Sequence, residues 1–206
     1  MELIERLLER WKARRGERRH LFIGIGGGSA SGKSTIADGI RRRLAPLTVH
    51  TINQDRFFKP VGELPTYHSP SRGGPRPDYN RPDSFDLESM LACCRDVEGA
   101  DVVILEGILA LHYPELRELM DVKCYVRADA DERIIRRIKR NLPRSSFDEI
   151  TSYYLESVRY QHERYNAPTQ RWADVVIPGG AADDEQRSAM LDGLCAAIQR
   201  AFDQAT

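Results

Sequence analysis

The sequence predicts an α/β fold, a parallel sheet with helices on both faces and a small arginine-bearing lid. Three observations lead there. Short apolar, β-prone runs alternate with helical patterns along most of the chain. A glycine-rich octapeptide, Gly27-Gly28-Ser29-Ala30-Ser31-Gly32-Lys33-Ser34, stands between one such run and one such helix. A later helical pattern gathers arginines on one side. The length, 206 residues, suits one α/β unit with a core of its own.

Composition excludes several classes. Thirty-one basic and thirty-one acidic residues leave a net charge of zero, so no global field favours nucleic acid. No apolar run approaches a membrane span and no signal peptide is visible, which argues against a membrane partner. The four cysteines, Cys93, Cys94, Cys124 and Cys195, show no metal or redox spacing and read as plain thiols of a cytoplasmic protein. A homo-oligomer is compatible with the sequence, which does not fix the oligomeric state.

In chain order, residues 1–11 read as an amphipathic helix with Leu3, Ile4, Leu7, Leu8 and Trp11 on one face. A basic run follows, with Lys12, Arg14, Arg15, Arg18, Arg19 and His20. Residues 1–19 are expected to be a helix docked on its own domain plus a solvated linker, rather than a membrane-surface or nucleic-acid arm. Residues 20–206 form the main domain.

Residues 21–25 are the strand that leads into the octapeptide, and 36–44 the helix that leaves it, with Ile36, Ala37, Ile40 and Leu44 at helical spacing. The octapeptide fits the P-loop pattern at every fixed position. Backbone N–H groups of such a loop, with the helix N-terminus behind them, cradle phosphates. Gly27 through Ser34, with Thr35, are therefore the expected ATP-binding segment of a P-loop NTPase-type sheet. Lys33 is expected to reach the β and γ phosphates, and Ser34 to ligate Mg²⁺.

A second strand, 47–53, ends at Asp55, and ligands sit outside the carboxyl ends of strands in open parallel sheets. A carboxylate there can take the proton of an attacking hydroxyl. Residues 56–82 carry six prolines and look like no regular element. They are read as the wall of the acceptor-substrate site, where aromatics such as Phe58 and Tyr79 either stack on substrate or pin the loop. A helix is expected over 84–95 with Ser84 as its cap. The run 101–107 is a buried strand ending in Glu106, placed to support Mg²⁺. Strands over 120–127 and 173–177 complete the sheet.

Arg133, Arg136, Arg137, Arg140 and Arg144 share one side of a helix over 127–144, with Ile134, Ile135, Ile138 and Leu142 on the other. In a P-loop protein such a helix reads as a lid closing over the phosphoryl group.

Taken in order, the P-loop, Asn53-Gln54-Asp55 with Phe57-Phe58, Arg81-Pro82-Asp83-Ser84-Phe85-Asp86, residues 103–110, Asp129-Ala130-Asp131-Glu132-Arg133 and residues 173–179 resemble the uridine kinase and phosphoribulokinase-like family. The likeness runs from about residue 20 to about 180. It implies Asp55 as general base, Lys33 and Ser34 on phosphates and Mg²⁺, Glu106 supporting the metal, Arg140 and Arg144 as lid arginines over ATP, and Arg137 facing the acceptor. Phe57-Phe58-Lys59-Pro60 is also similar to the nicotinamide riboside kinase branch. Three departures stand out. Between Arg95 and Asp101 there is no room for the β-hairpin expected of uridine kinases. Asn80 stands where the family has the acid that holds the ribose hydroxyls, so Asn80→Asp is expected to improve ribonucleoside turnover. Tyr153 replaces a glutamine near the base. The function implied is transfer of the ATP γ-phosphoryl to a nucleoside 5′-hydroxyl. Another small-molecule acceptor, such as nicotinamide riboside or a sugar phosphate, and a non-catalytic nucleotide-binding module are the alternatives. A GTPase is disfavoured by the absence of an N-K-x-D motif.

Overall fold

The computed structural model describes residues 2–14 and 20–204. The basic positions Arg15, Arg18 and Arg19, and the expected boundary at residue 19, lie outside the described residues. Five parallel strands form the central sheet in the order β2-β5-β1-β6-β7: β1 (Leu21–Gly27), β2 (Val49–Asn53), β5 (Val102–Glu106), β6 (Val122–Arg127) and β7 (Val175–Pro178). The near-continuous apolar runs of β1 and β5 follow from burial on both faces, and every residue of these two strands is buried, whereas His50 and Thr51 of the edge strand β2 are exposed.

Alternation along the strands divides the core. Leu21, Ile23 and Ile25 face one layer, made by α1 (Glu2–Ala13), α2 (Lys33–Arg43) and α8 (Asp184–Asp203). Phe22, Val103 and Leu105 face the other, with Met90 and Cys94 of α3 (Leu87–Arg95) and Leu116 of α4 (Pro114–Leu119). Helix α1 docks through Ile4, Leu8 and Trp11, and the Trp11 ring lies 4.6 Å from that of Phe202.

The proline-rich segment is not irregular. It holds an antiparallel hairpin, β3 (Thr66–Ser69) with β4 (Gly74–Pro77). The Asp78 N–H donates to the Pro65 carbonyl at 2.8 Å, which sets the phase of the ladder. Pairing groups then fall at 74, 76 and 78, so Pro75 and Pro77 sit where no N–H is required. The expectation that residues 56–82 hold no regular element is therefore overturned, whereas between α3 and β5 there is no hairpin, as the short Arg95–Asp101 spacing implied. Helix α3 also begins later than expected. Asp86, accepting from the Ser89 N–H at 3.0 Å, is its cap, while Ser84 is buried and donates to the Asp78 carbonyl at 2.6 Å.

Helix α5 (Ala130–Asn141) is followed by α6 (Phe147–Tyr153), a π turn (Tyr154–Val158), the short α7 (Arg159–Gln161), a second π turn (His162–Asn166) and a 3-10 turn (Ala167–Trp172). Ser146 and Glu149 form a reciprocal capping box at the start of α6.

Candidate active site

The parallel register lines up the ends of three strands. Asn53 of β2 and Ile25 of β1 both stand opposite Glu106 of β5, so the P-loop, the Asp55 turn and Glu106 emerge side by side. Ser34 Oγ donates to Glu106 Oε1 at 2.9 Å, and Asn53 Nδ2 donates to the same oxygen at 2.7 Å. Asn53 Oδ1 accepts the Asp55 N–H at 2.7 Å, so one amide ties the Asp55 turn to Glu106. Asp55 itself is exposed. Behind it, buried Gln54 accepts the Leu109 N–H at 2.8 Å, and a Cβ at Gly107 would lie 2.2 Å from the Gln54 side chain. Only glycine allows that approach. Burial raises the pKa of Glu106, opposed by Lys33 and the Ser34 hydrogen bond.

Lys33 is buried under the P-loop, with Nζ 2.9 Å from the Gly28 carbonyl. Burial lowers its pKa to about 8 despite the nearby Glu106 and Asp55. A Cβ on Gly28 would lie 2.7 Å from the guanidinium of buried Arg133, which braces the loop from below. On the open side, Ala30 through Ile36, Arg136, Arg140, Gly179 and Arg187 line a cavity of about 480 Å³. Of the expected nucleotide segment, Ala30, Ser31, Gly32, Lys33, Ser34 and Thr35 line it, while Gly28 and Ser29 face a smaller recess with Asn80, Leu109 and His162. Gly27 closes β1, and its carbonyl accepts from Asn166 Nδ2 at 3.0 Å.

The lid is reached in part. Arg140 lines the cavity, whereas Arg144 is exposed beyond the end of α5 and does not. Arg136 takes the inner position Arg144 was expected to share, anchored on the Gly179 carbonyl at 2.7 Å. The reason is helical phase: 136 and 140 are four residues apart and stack on one face, whereas 144 follows the helix end. Arg137 turns the other way, donating to Ser29 Oγ at 2.9 Å with its guanidinium 5.3 Å from the Tyr153 ring centre. Burial lowers its pKa.

On the acceptor side, Phe58 stacks on Phe85 at 4.4 Å and meets Tyr79 edge-on at 5.2 Å. Asn80 and Tyr153 meet: Asn80 Nδ2 donates to Tyr153 Oη at 2.8 Å. Burial pushes the Tyr153 phenol up to about 12. Beside them is a group the sequence did not single out, Asp78, fully buried. Asn53 and Arg187 were likewise not assigned, while Arg133 and Arg136 belong to the arginine side expected of the lid helix. The signal for Asn53 was its place two residues before Asp55 at a strand end; Arg187 gave none, because it arrives from a distant helix.

Among the described residues, the buried side-chain polar atoms lacking a partner are Ser31 Oγ, Arg137 Nε and His162 Nδ1, and all three belong to residues around the P-loop. Orphans of this kind are uncommon.

A phosphate cradle at the carboxyl end of a parallel sheet, with a carboxylate pair across from it and arginines above, defines a P-loop protein built for phosphoryl groups. The model of the phosphoribulokinase/uridine kinase family matches residues 70–185. A uridine kinase of Clostridium botulinum (strain Langeland) is 34% identical over 190 aligned positions, covering 79% of this chain and 90% of that one. A uridine kinase of Clostridium perfringens (strain SM101) is 35% identical, with 79% and 89% covered. The solved phosphoribulokinase of Rhodobacter spheroides shares the fold, with a TM-score of 0.57 at 14% identity over 77% of this chain and 70% of that one. The chain belongs to the phosphoribulokinase/uridine kinase family.

Proposed function

We propose that the protein transfers the γ-phosphoryl group of ATP to the 5′-hydroxyl of a nucleoside of the uridine or cytidine kind. One observation carries the reading: Lys33, the Ser34–Glu106 pair and Asp55 emerge together from adjacent strand ends, in a chain about one-third identical to uridine kinases. Asp55 accepts the proton of the attacking hydroxyl as its oxygen bonds to the γ-phosphorus and the bond to the β-phosphate oxygen breaks, releasing ADP. Lys33, Arg136 and Arg140 oppose the charge on the phosphates, and the lid keeps water from competing. The hydroxyl of Ser34 and the carboxylate of Glu106 are hard oxygen donors that fit Mg²⁺, which when bound neutralises the phosphate oxygens. Phe58, Tyr79, Asn80, Arg137 and Tyr153 surround the acceptor. The thiols of Cys94, Cys124 and Cys195 are buried and free, in accord with a cytoplasmic protein.

ADP release from Mg-ATP, measured with uridine, cytidine, adenosine, nicotinamide riboside and ribulose 5-phosphate, tests this. Turnover with uridine or cytidine is the expected result. Turnover with another acceptor alone moves the assignment to that metabolite. ATP binding with no turnover on any acceptor makes the chain a nucleotide-binding module.

A further inference from the structure

The buried carboxylate of Asp78 has no part in the chemistry above, yet it is the most heavily bonded polar group on the acceptor side. Its Oδ1 accepts from the Asn80 backbone N–H at 2.9 Å, from Asn80 Nδ2 at 3.3 Å and from Ser157 Oγ at 3.0 Å. Its Oδ2 accepts from Gln161 Nε2 at 2.8 Å. Among the described residues no cation lies within ion-pair reach of it. The side chain is completely buried, so these neutral donors replace its water.

All four contacts set a donor against an Asp78 oxygen, which decides how Asn80 stands. Its NH₂ must face Asp78; turned over, the amide oxygen would meet a carboxylate oxygen. The second NH₂ hydrogen goes to Tyr153 Oη at 2.8 Å. Both donors are thereby committed, and among the described residues nothing donates to Asn80 Oδ1. Asn80 lines the recess beside Gly28, Ser29, Leu109 and His162, against the P-loop.

We propose that Asp78 is a positioning residue that locks Asn80 with its carbonyl oxygen toward the acceptor, so that the site selects a substrate presenting a hydroxyl donor there. The inference rests on the nucleoside-kinase reading and deepens it. It also reverses an expectation drawn from the sequence. Asn80→Asp would set two carboxylates against each other at the 3.3 Å contact with Asp78, and like charges so close cannot both ionise. That substitution therefore impairs the site unless Asp78 changes with it.

The experiment is a charge swap. Asp78→Asn, Asn80→Asp and the double variant are compared with the native protein, using uridine and 2′,3′-dideoxyuridine as acceptors and recording kcat, both KM values and Tm. Asp78→Asn is expected to raise the uridine KM about tenfold, because an unlocked amide offers its NH₂ as readily as its oxygen. The ATP KM should stay, and the preference for uridine over the dideoxy compound should shrink. Asn80→Asp alone is expected to lose at least about tenfold in kcat/KM. The double variant should return to within about threefold of native, because the two positions act as one unit. A double variant no better than Asn80→Asp overturns the proposal, as does Asp78→Asn with native uridine KM. Parallel loss of Tm, kcat and both KM values in Asp78→Asn, without recovery in the swap, assigns Asp78 to the core and also overturns it. A native protein inactive on every ribonucleoside refutes the nucleoside-kinase reading first, and is told apart because it appears before any variant is made.

Discussion

Lys33 gives up its water before it meets a phosphate, and its pKa falls to about 8. Phosphates supply the missing counter-charge and raise it again, so nucleotide binding takes up a proton once the pH exceeds about 8. Affinity should be flat near pH 7 and fall by up to about tenfold per unit above 8. Calorimetry at pH 8.5 in two buffers of different ionisation enthalpy measures the proton; equal apparent enthalpies would contradict it. The sign for stability is opposite to that of a salt-bridged lysine. Between about 8 and the ordinary value of 10.5 the unfolded chain holds more protons, so this group's contribution to stability rises with pH there. Asp55 is exposed and its turn is held by the backbone N–H bond to Asn53, so Asp55→Asn should leave Tm and nucleotide affinity nearly unchanged. Turnover should fall roughly 10²–10⁴-fold, the usual worth of a positioned base. Steady-state kinetics beside a binding titration checks both halves. These residues were legible because each sits at a fixed place on a motif or strand end. Asp78 was not, because a lone aspartate in a proline-rich stretch carries no pattern; its partners Ser157 and Gln161 lie about eighty positions away.

At the scale of elements, α5 packs with its arginine side inward. Arg133 is buried, and Arg136 and the exposed Arg140 line the cavity beside the P-loop, while Ile135 is 51% exposed and Leu142 49%. An amphipathic pattern gives the stripe and not the side on which the core lies. Because Arg140 lines the cavity and Arg144 does not, Arg140→Ala should lower kcat at least about tenfold with a smaller effect on ATP affinity. Arg144→Ala should remain within about twofold. Single-turnover assays of both variants decide it; equal losses would place Arg144 over the phosphates in a closed state. The hairpin was hidden for a different reason. Proline and glycine mark loops by default, and only the register shows that Pro75 and Pro77 fall on unpaired positions.

For the whole molecule, the terminal helices close one layer. Trp11 is 1% exposed against Phe202 of α8, and Arg14 pairs with buried Asp121 at 2.8 Å. Trp11→Ala should cost about 3–5 kcal/mol and lower Tm by roughly 10 °C, with kcat at 25 °C unchanged. A calorimetric scan beside an assay checks it, and an unchanged Tm would show that α1 is dispensable to the core. No helix among the described residues is long and apolar enough to cross a membrane. The sequence by itself determined the five strands of the central sheet, the phosphate loop, the carboxylates at the strand ends and the family, because each depends on residues close together in the chain. Periodicity, turn chemistry and motif spacing are local properties. The tertiary structure alone decided which side of α5 faces inward, which arginines reach the cavity, and that Asp78 sets the polarity of Asn80. Those depend on contacts between segments far apart in sequence, and a buried group's role is set by the neighbours that folding brings to it.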